Sequence, residues 1–244
     1  MNRRQTLASL GALALAGCAT APPAAPAGLV AGQQKSRTRE GLGLGRMWVS
    51  LPSGYGEQRE RWPLVVFLHG SGERGRDLEI VLRNGPPMLA AKGLAYPFVL
   101  VSPQLDEDRR WEPEELHALR QALQTHFYVD PDRCLATGLS LGGHGVWDWA
   151  CAYPNDLAAI APVCGHGDPA RVAAMRGVPV RAYHGDADTV VSIELQRACV
   201  DALRAAGGSA SFTVYPGVGH GSWVPAYEDA GLVPWLLAQR RHTA

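Results

Sequence analysis

Arg133-Cys134-Leu135-Ala136-Thr137-Gly138-Leu139-Ser140-Leu141-Gly142-Gly143 is the stretch from which the fold is read. Its first five residues read as a buried strand, and residues 143–153 read as a helix. Between them lies a G-x-S-x-G pentapeptide, Gly138 to Gly142. That pattern marks a sharp strand-to-helix turn that lifts a serine hydroxyl above a sheet. Glycines two before and two after the serine remove side chains that would collide across the turn. The next backbone N–H, that of Leu141, points at the same place, so nucleophile and one oxyanion donor come together. In a chain with 28 glycines the pentapeptide carries little weight by itself; its neighbours in chain order give it weight.

A seryl oxygen needs a histidine to take its proton and a carboxylate to orient that histidine. In the elbow scheme the acid follows the serine and the histidine comes last. Residues 178–184 read as a buried strand ending in Gly185-Asp186-Ala187-Asp188, and residues 211–215 alternate like another strand before Pro216-Gly217-Val218-Gly219-His220-Gly221. Catalytic groups of open α/β sheets collect at such carboxyl ends. Asp188 is the expected acid, two residues further from the strand tip than its competitor Asp186, and His220 is the expected base. Of the other seven histidines, His117 and His126 fall on a surface helix, His242 in the tail, and His144 one turn past the elbow. His184 reads as a semi-buried structural residue, and His166, at another strand end, is the second choice for the cleft; His69 follows an upstream strand.

Trp62-Pro63-Leu64-Val65-Val66-Phe67-Leu68 is continuously apolar, as expected of a central parallel strand. It ends in His69-Gly70-Ser71-Gly72-Glu73-Arg74-Gly75, where the N–H of Ser71 is the expected second oxyanion donor.

Strands are predicted over 46–51, 64–68, 98–102, 133–137, 158–163, 178–184 and 211–215, and helices over 113–126, 143–153, 169–176, 192–206 and 227–240. This alternation predicts an α/β domain, a mostly parallel sheet with helices on both faces. Residues 164–178 are too few for a lid domain, so the cleft is expected to be open. Trp111, Trp223 and His166 are candidates for its rim, with Tyr96 as a further wall.

Residues 1–17 read as a lipoprotein-type signal peptide. Arg3 and Arg4 carry charge, a short apolar run follows, and Leu15-Ala16-Gly17-Cys18 has the form of a lipobox that would make Cys18 the lipidated residue. Residues 18–30 read as an Ala/Pro-rich tether and residues 31–244 as one catalytic domain. The expected location is the bacterial cell envelope, with a lipid anchor as the membrane contact. Lys plus Arg and Asp plus Glu each number 23, which speaks against nucleic acid as a partner. Beyond Cys18, the cysteines at 134, 151, 164 and 199 allow two bridges, though buried free thiols are the plainer expectation. No spacing of cysteine, histidine and carboxylate matches a zinc site, and no cofactor is implied.

Taken together the segments resemble the α/β-hydrolase fold, and within it the compact bacterial esterases and predicted peptidases akin to phospholipase/carboxylesterases, polyhydroxybutyrate depolymerases, feruloyl esterases and dienelactone hydrolases. The likeness runs through residues 63–75, 101–104, 129–133, 137–143, 161–165, 184–188 and 215–223. It implies catalytic roles for Ser140, Asp188 and His220. Gly221 departs from it, since this group often has Asp there. The expected activity is hydrolysis of a short-acyl, aryl or polymer-borne carboxylic ester through an acyl-enzyme. A serine peptidase, or a non-catalytic surface-binding lipoprotein of the same fold, are the alternatives.

Overall fold

A computed structural model describes residues 22–38 and 44–241. The signal-peptide reading of residues 1–17, Cys18, the start of the tether and His242 lie outside the described residues. The described part of the tether does not all hang free: Leu29 is buried and Ala25 packs on the core, because a turn closed by the Leu29 N–H on the Pro26 carbonyl folds it back.

The chain forms β1 (Gln34–Thr38), β2 (Arg46–Ser50), β3 (Trp62–Leu68), α1 (Gly85–Ala91), β4 (Val99–Pro103), α2 (Pro113–His126), β5 (Val129–Leu139), α3 (Leu141–Ala152), β6 (Ala159–Val163), β7 (Val180–Gly185), α4 (Ile193–Ala205), β8 (Ala210–Tyr215), α5 (Trp223–Glu228) and α6 (Leu232–Leu237). The eight strands make one sheet in the order β1-β2-β4-β3-β5-β6-β7-β8. β1 and β2 run antiparallel to their neighbours and the rest is parallel. This is the α/β-hydrolase arrangement.

Strand side chains alternate between two cores. Leu64, Val66 and Leu68 of β3 face the layer that holds Leu116 and Leu119 of α2, Trp147 of α3 and Val200 of α4. Val65 and Phe67 face the opposite layer, with Ala226 of α5 and Leu232 and Leu236 of α6. Burial on both sides explains why the parallel strands read as unbroken apolar runs.

Four elements differ from expectation, one of them α1, which no expected helix covers. β1, Gln-Lys-Ser-Arg-Thr, has no apolar alternation and is held by pairing with β2 as an edge strand. The helix expected over 169–176 is a 3₁₀ turn, Val172–Met175, stopped by Gly177 and Pro179. The helix expected over 227–240 is two short helices. Between them the Asp229 carboxylate accepts from the Gly231 N–H (2.8 Å), Tyr183 Oη (3.0 Å) and Arg181 (3.1 Å), which pins the break to β7. Pro234 could not have extended one helix through this point, since it lacks the N–H and its ring would strike a carbonyl one turn back. The β6–β7 connection holds only that 3₁₀ turn, so no lid covers the cleft there.

Candidate active site

Ser140 stands alone between the end of β5 and the start of α3, at φ 50° and ψ −115°. A non-glycine residue there stores roughly 1–3 kcal/mol of backbone strain. The surrounding contacts hold it: the Ser140 N–H donates to the Val163 carbonyl (3.0 Å), and the Ser140 carbonyl accepts from the His144 N–H (3.0 Å). A Cβ at Gly142 would lie 1.9 Å from the Leu68 carbonyl oxygen, and one at Gly138 would lie 2.4 Å from that of Gly142. Glycine at both positions is therefore a requirement of close approach, and it lets the elbow press against the end of β3.

Beyond β7 and β8, two loops bring Asp188 and His220 to this serine. His220 Nε2 is 2.9 Å from Ser140 Oγ, and His220 Nδ1 is 2.8 Å from Asp188 Oδ2. The Asp188 side chain is wholly buried, while that of His220 keeps 20% exposure on the solvent side. Asp188 Oδ1 accepts the Val190 (2.8 Å) and Val191 (3.0 Å) N–H groups. Burial pushes the Asp188 carboxyl up, but the hydrogen bonds from His220, Val191 and Val190 outweigh it and hold it below the usual carboxylate range. The competing Asp186 is exposed and accepts the Gly217 N–H (2.7 Å), closing the turn after β8.

The loop after β3 reaches the elbow from the other side. A Cβ at Gly70 would lie 2.7 Å from Leu139 Cδ1, so the segment carrying Ser71 rests on the residue before the nucleophile. Ser71 opens a 3₁₀ turn and Leu141 opens α3, and the first N–H groups of a helix have no partner within it. Under this loop lies His69, fully buried. The Leu105 N–H donates to its Nε2 (3.0 Å), so its proton sits on Nδ1, which donates to the Gly70 carbonyl (2.6 Å). Burial, offset in part by the Gly70 bond and reinforced by Arg74, lowers His69 to about 4.

The expected rim divides. Trp111 is largely buried and forms part of a cleft wall: its Nε1 donates to the His69 carbonyl (3.0 Å), and its ring fills the space left by the missing side chain of Gly145. It supports the loop after β3 from below. Tyr96 is likewise a packing residue, stacked on Phe98 at 4.7 Å. Trp223 is half-buried, its ring edge-on to His220 at 5.4 Å. His166 is half-buried and sits edge-on to His144 at 4.5 Å, with its N–H donating to His144 Nδ1 (3.0 Å). A cleft of about 210 Å³ opens beside Leu141, with Arg110, Glu112, His144, Asp148 and Arg171 among its walls.

His117 is half-buried, its Nδ1 2.8 Å from Asp156 Oδ2. His184 is buried behind Asp188, with Nε2 3.0 Å from the Val191 carbonyl and 3.0 Å from Asp188 Oδ2. One residue here, Asn84, carries no sequence signal of its own. Asn84 accepts from Trp223 Nε1 (3.0 Å) and donates to buried Glu73 Oε1 (2.5 Å), tying the segment after β8 to the loop after β3. Such links join residues far apart in the chain, and no local pattern marks them. Cys134, Cys151, Cys164 and Cys199 are all buried free thiols. Burial pushes the Cys134 and Cys164 thiols up to about 12. Among the described residues no group of three or more His, Cys, Asp or Glu is placed to hold a metal ion, and no helix is long and apolar enough to cross a membrane.

This arrangement has known parallels. The sequence profile of the dienelactone hydrolase family matches residues 102–230, just over half of the chain. NocK of Nocardia uniformis subsp. tsuyamanensis, which carries an esterase name, is 31% identical over 140 residues, covering 52% of this chain and 40% of its own length. A rice protein (Oryza sativa subsp. japonica) named "Probable carboxylesterase" is 25% identical over 206 residues, covering 71% of this chain and 85% of its own. The crystal structure of a thermostable esterase superposes with a TM-score of 0.73 at 28% identity, over 87% of this chain and 64% of that one. The chain thus spans less than two thirds of NocK and of the thermostable esterase. The matched region runs from β4 to the turn after α5 and carries Ser140, Asp188 and His220, and the chain belongs to the dienelactone hydrolase family of the α/β-hydrolase superfamily.

Proposed function

We propose that the chain is a serine hydrolase of carboxylic esters that works through an acyl-enzyme. The observation that carries this reading is the continuous line from Asp188 Oδ2 through the His220 ring to Ser140 Oγ, at 2.8 and 2.9 Å. His220 Nε2 takes the seryl proton as Oγ attacks the ester carbonyl carbon. The carbonyl oxygen becomes an oxyanion and is received by the Ser71 and Leu141 N–H groups, each worth on the order of 10²–10³ in rate. The imidazolium then returns its proton to the departing alkoxide, leaving an acyl-Ser140 ester. Water, deprotonated by the same His220, attacks that ester and releases the acid.

The cleft beside Leu141 points to the substrate class. Its walls hold Arg110, Glu112, Asp148 and Arg171, and a long alkyl chain lying there would strip water from these charged groups. A short, polar or aryl-bearing ester fits, free or on a polymer. The Leu15-Ala16-Gly17-Cys18 segment supports lipid attachment at Cys18 and an envelope location; palmitate labelling of the parent but not of Cys18→Ala is the expected result.

Ser140→Ala should abolish turnover of p-nitrophenyl butyrate while leaving the circular dichroism spectrum unchanged. A fluorophosphonate probe should label the parent at Ser140 and spare the variant. Undiminished turnover by Ser140→Ala would overturn the reading.

A further inference from the structure

Two glycine-rich loops meet at the end of β5. The one after β8 has glycine at 217, 219 and 221 around His220, and a Cβ at 217 or 221 would meet no neighbouring atom of the described residues within 4 Å. The one after β3 has glycine at 70, 72 and 75 around Ser71, and a Cβ at 72 would likewise stand in open space. Such segments gain little packing from their own side chains, and glycine gives their backbones more freedom to lose. Their placement rests on the residues that tie them down.

One side chain ties both. Asn84 precedes α1 with an extended backbone (φ −139°, ψ 158°). Its Oδ1 accepts from Trp223 Nε1 at 3.0 Å, and its Nδ2 donates to Glu73 Oε1 at 2.5 Å. The partners fix which way the amide faces: an indole only donates, so it meets the oxygen and leaves the NH₂ to the carboxylate. Glu73 is buried and ends the 3₁₀ turn that Ser71 opens, and its own carbonyl accepts from Gln104 Nε2 (3.1 Å). Trp223 opens α5 three residues after His220, and its ring stands at 88° to the imidazole with centroids 5.4 Å apart. The Val224 N–H on the Gly221 carbonyl (3.1 Å) closes the turn that joins them.

We propose that Asn84 is a positioning residue: it fixes the Trp223 ring against His220 and sets the loop that bears His220 against the loop that bears Ser71. This rests on reading His220 as the base and the Ser71 N–H as an oxyanion donor. The reaction needs both at Ser140 at once, one to take the proton and one to receive the oxyanion. A shift of one loop against the other therefore slows the chemical step more than it weakens binding.

The test measures how fast a fluorophosphonate labels Ser140. The seryl oxygen displaces fluoride from phosphorus and gives its proton to His220, so the rate reports the relay whatever ester the protein takes. Asn84→Leu and Trp223→Phe each break the link. The second leaves the Asn84–Glu73 pair whole and carries the test should the first fail to fold. Each should slow labelling on the order of tenfold, and kcat for p-nitrophenyl butyrate should fall as much with KM within about twofold. Because both changes cut one link, the double variant should be no slower than Asn84→Leu alone. In ¹⁵N-tryptophan protein the Trp223 indole signal, assigned by its loss in Trp223→Phe, should move upfield in Asn84→Leu. Labelling at the parental rate by either folded variant, or losses that multiply in the double variant, overturns the role of Asn84. A parent that is labelled but turns over no ester sinks the ester reading alone and leaves the labelling comparison standing.

Discussion

Ser140 trades backbone comfort for position. Its φ of 50° and ψ of −115° suit glycine better than any L residue, so the hydroxyl is held up by a conformation that costs stability. Two substitutions separate the parts. Ser140→Ala removes the oxygen and keeps the Cβ, and hence the strain. Ser140→Gly removes both. Ser140→Gly is expected to be more stable than Ser140→Ala by about 1 kcal/mol in urea unfolding, with both inactive. Equal stabilities would mean that the turn imposes no strain at this residue. The spacing of Gly138 and Gly142 announced this position because the constraint is local. A Cβ at either glycine meets a backbone atom within 2.4 Å. The role of Trp111 was not legible in the same way. Trp111 lines the cleft and also bears on the loop after β3, and that second contact depends on Gly145 and His69, which approach it from elsewhere in the chain.

At the scale of elements, the parallel strands were legible because burial on both faces leaves a one-letter signature of apolar residues, and α2 because its bounds are set by Pro113 and by the end of its apolar spacing. The edge strand β1 and the break between α5 and α6 were not, because tertiary pairing decides both. That break hangs on Asp229, which gathers Arg181, Tyr183 and the Gly231 N–H. The group is about a quarter exposed, with Asp229 at 28% and Arg181 at 24%, so water screens the charge part of its contribution. Asp229→Ala should cost about 1–2 kcal/mol, mainly through the Tyr183 hydroxyl and the Gly231 N–H losing their acceptor. Thermal unfolding of the variant checks this. A melting temperature equal to the parent's would show that Pro234 and Gly231 alone divide the helices.

For the whole molecule, the site is built where three separately folded loops meet at the carboxyl edge of one sheet, and the loop after β3 is held from within by a neutral histidine. His69 cannot take a proton without losing the Leu105 N–H from Nε2 and placing a charge in a wholly buried space. Its value is lowered from 6.5 to about 4 in the folded protein. Between these limits the unfolded chain binds a proton that the folded chain refuses, so acid favours unfolding. Stability from this residue is complete above pH 6.5, declines as pH falls, and levels off below about 4. The loss amounts to about 3 kcal/mol in all. In urea unfolding across this window, His69→Asn should lack this part of the decline, although it starts from a less stable protein. Parallel slopes for parent and variant would place the proton elsewhere.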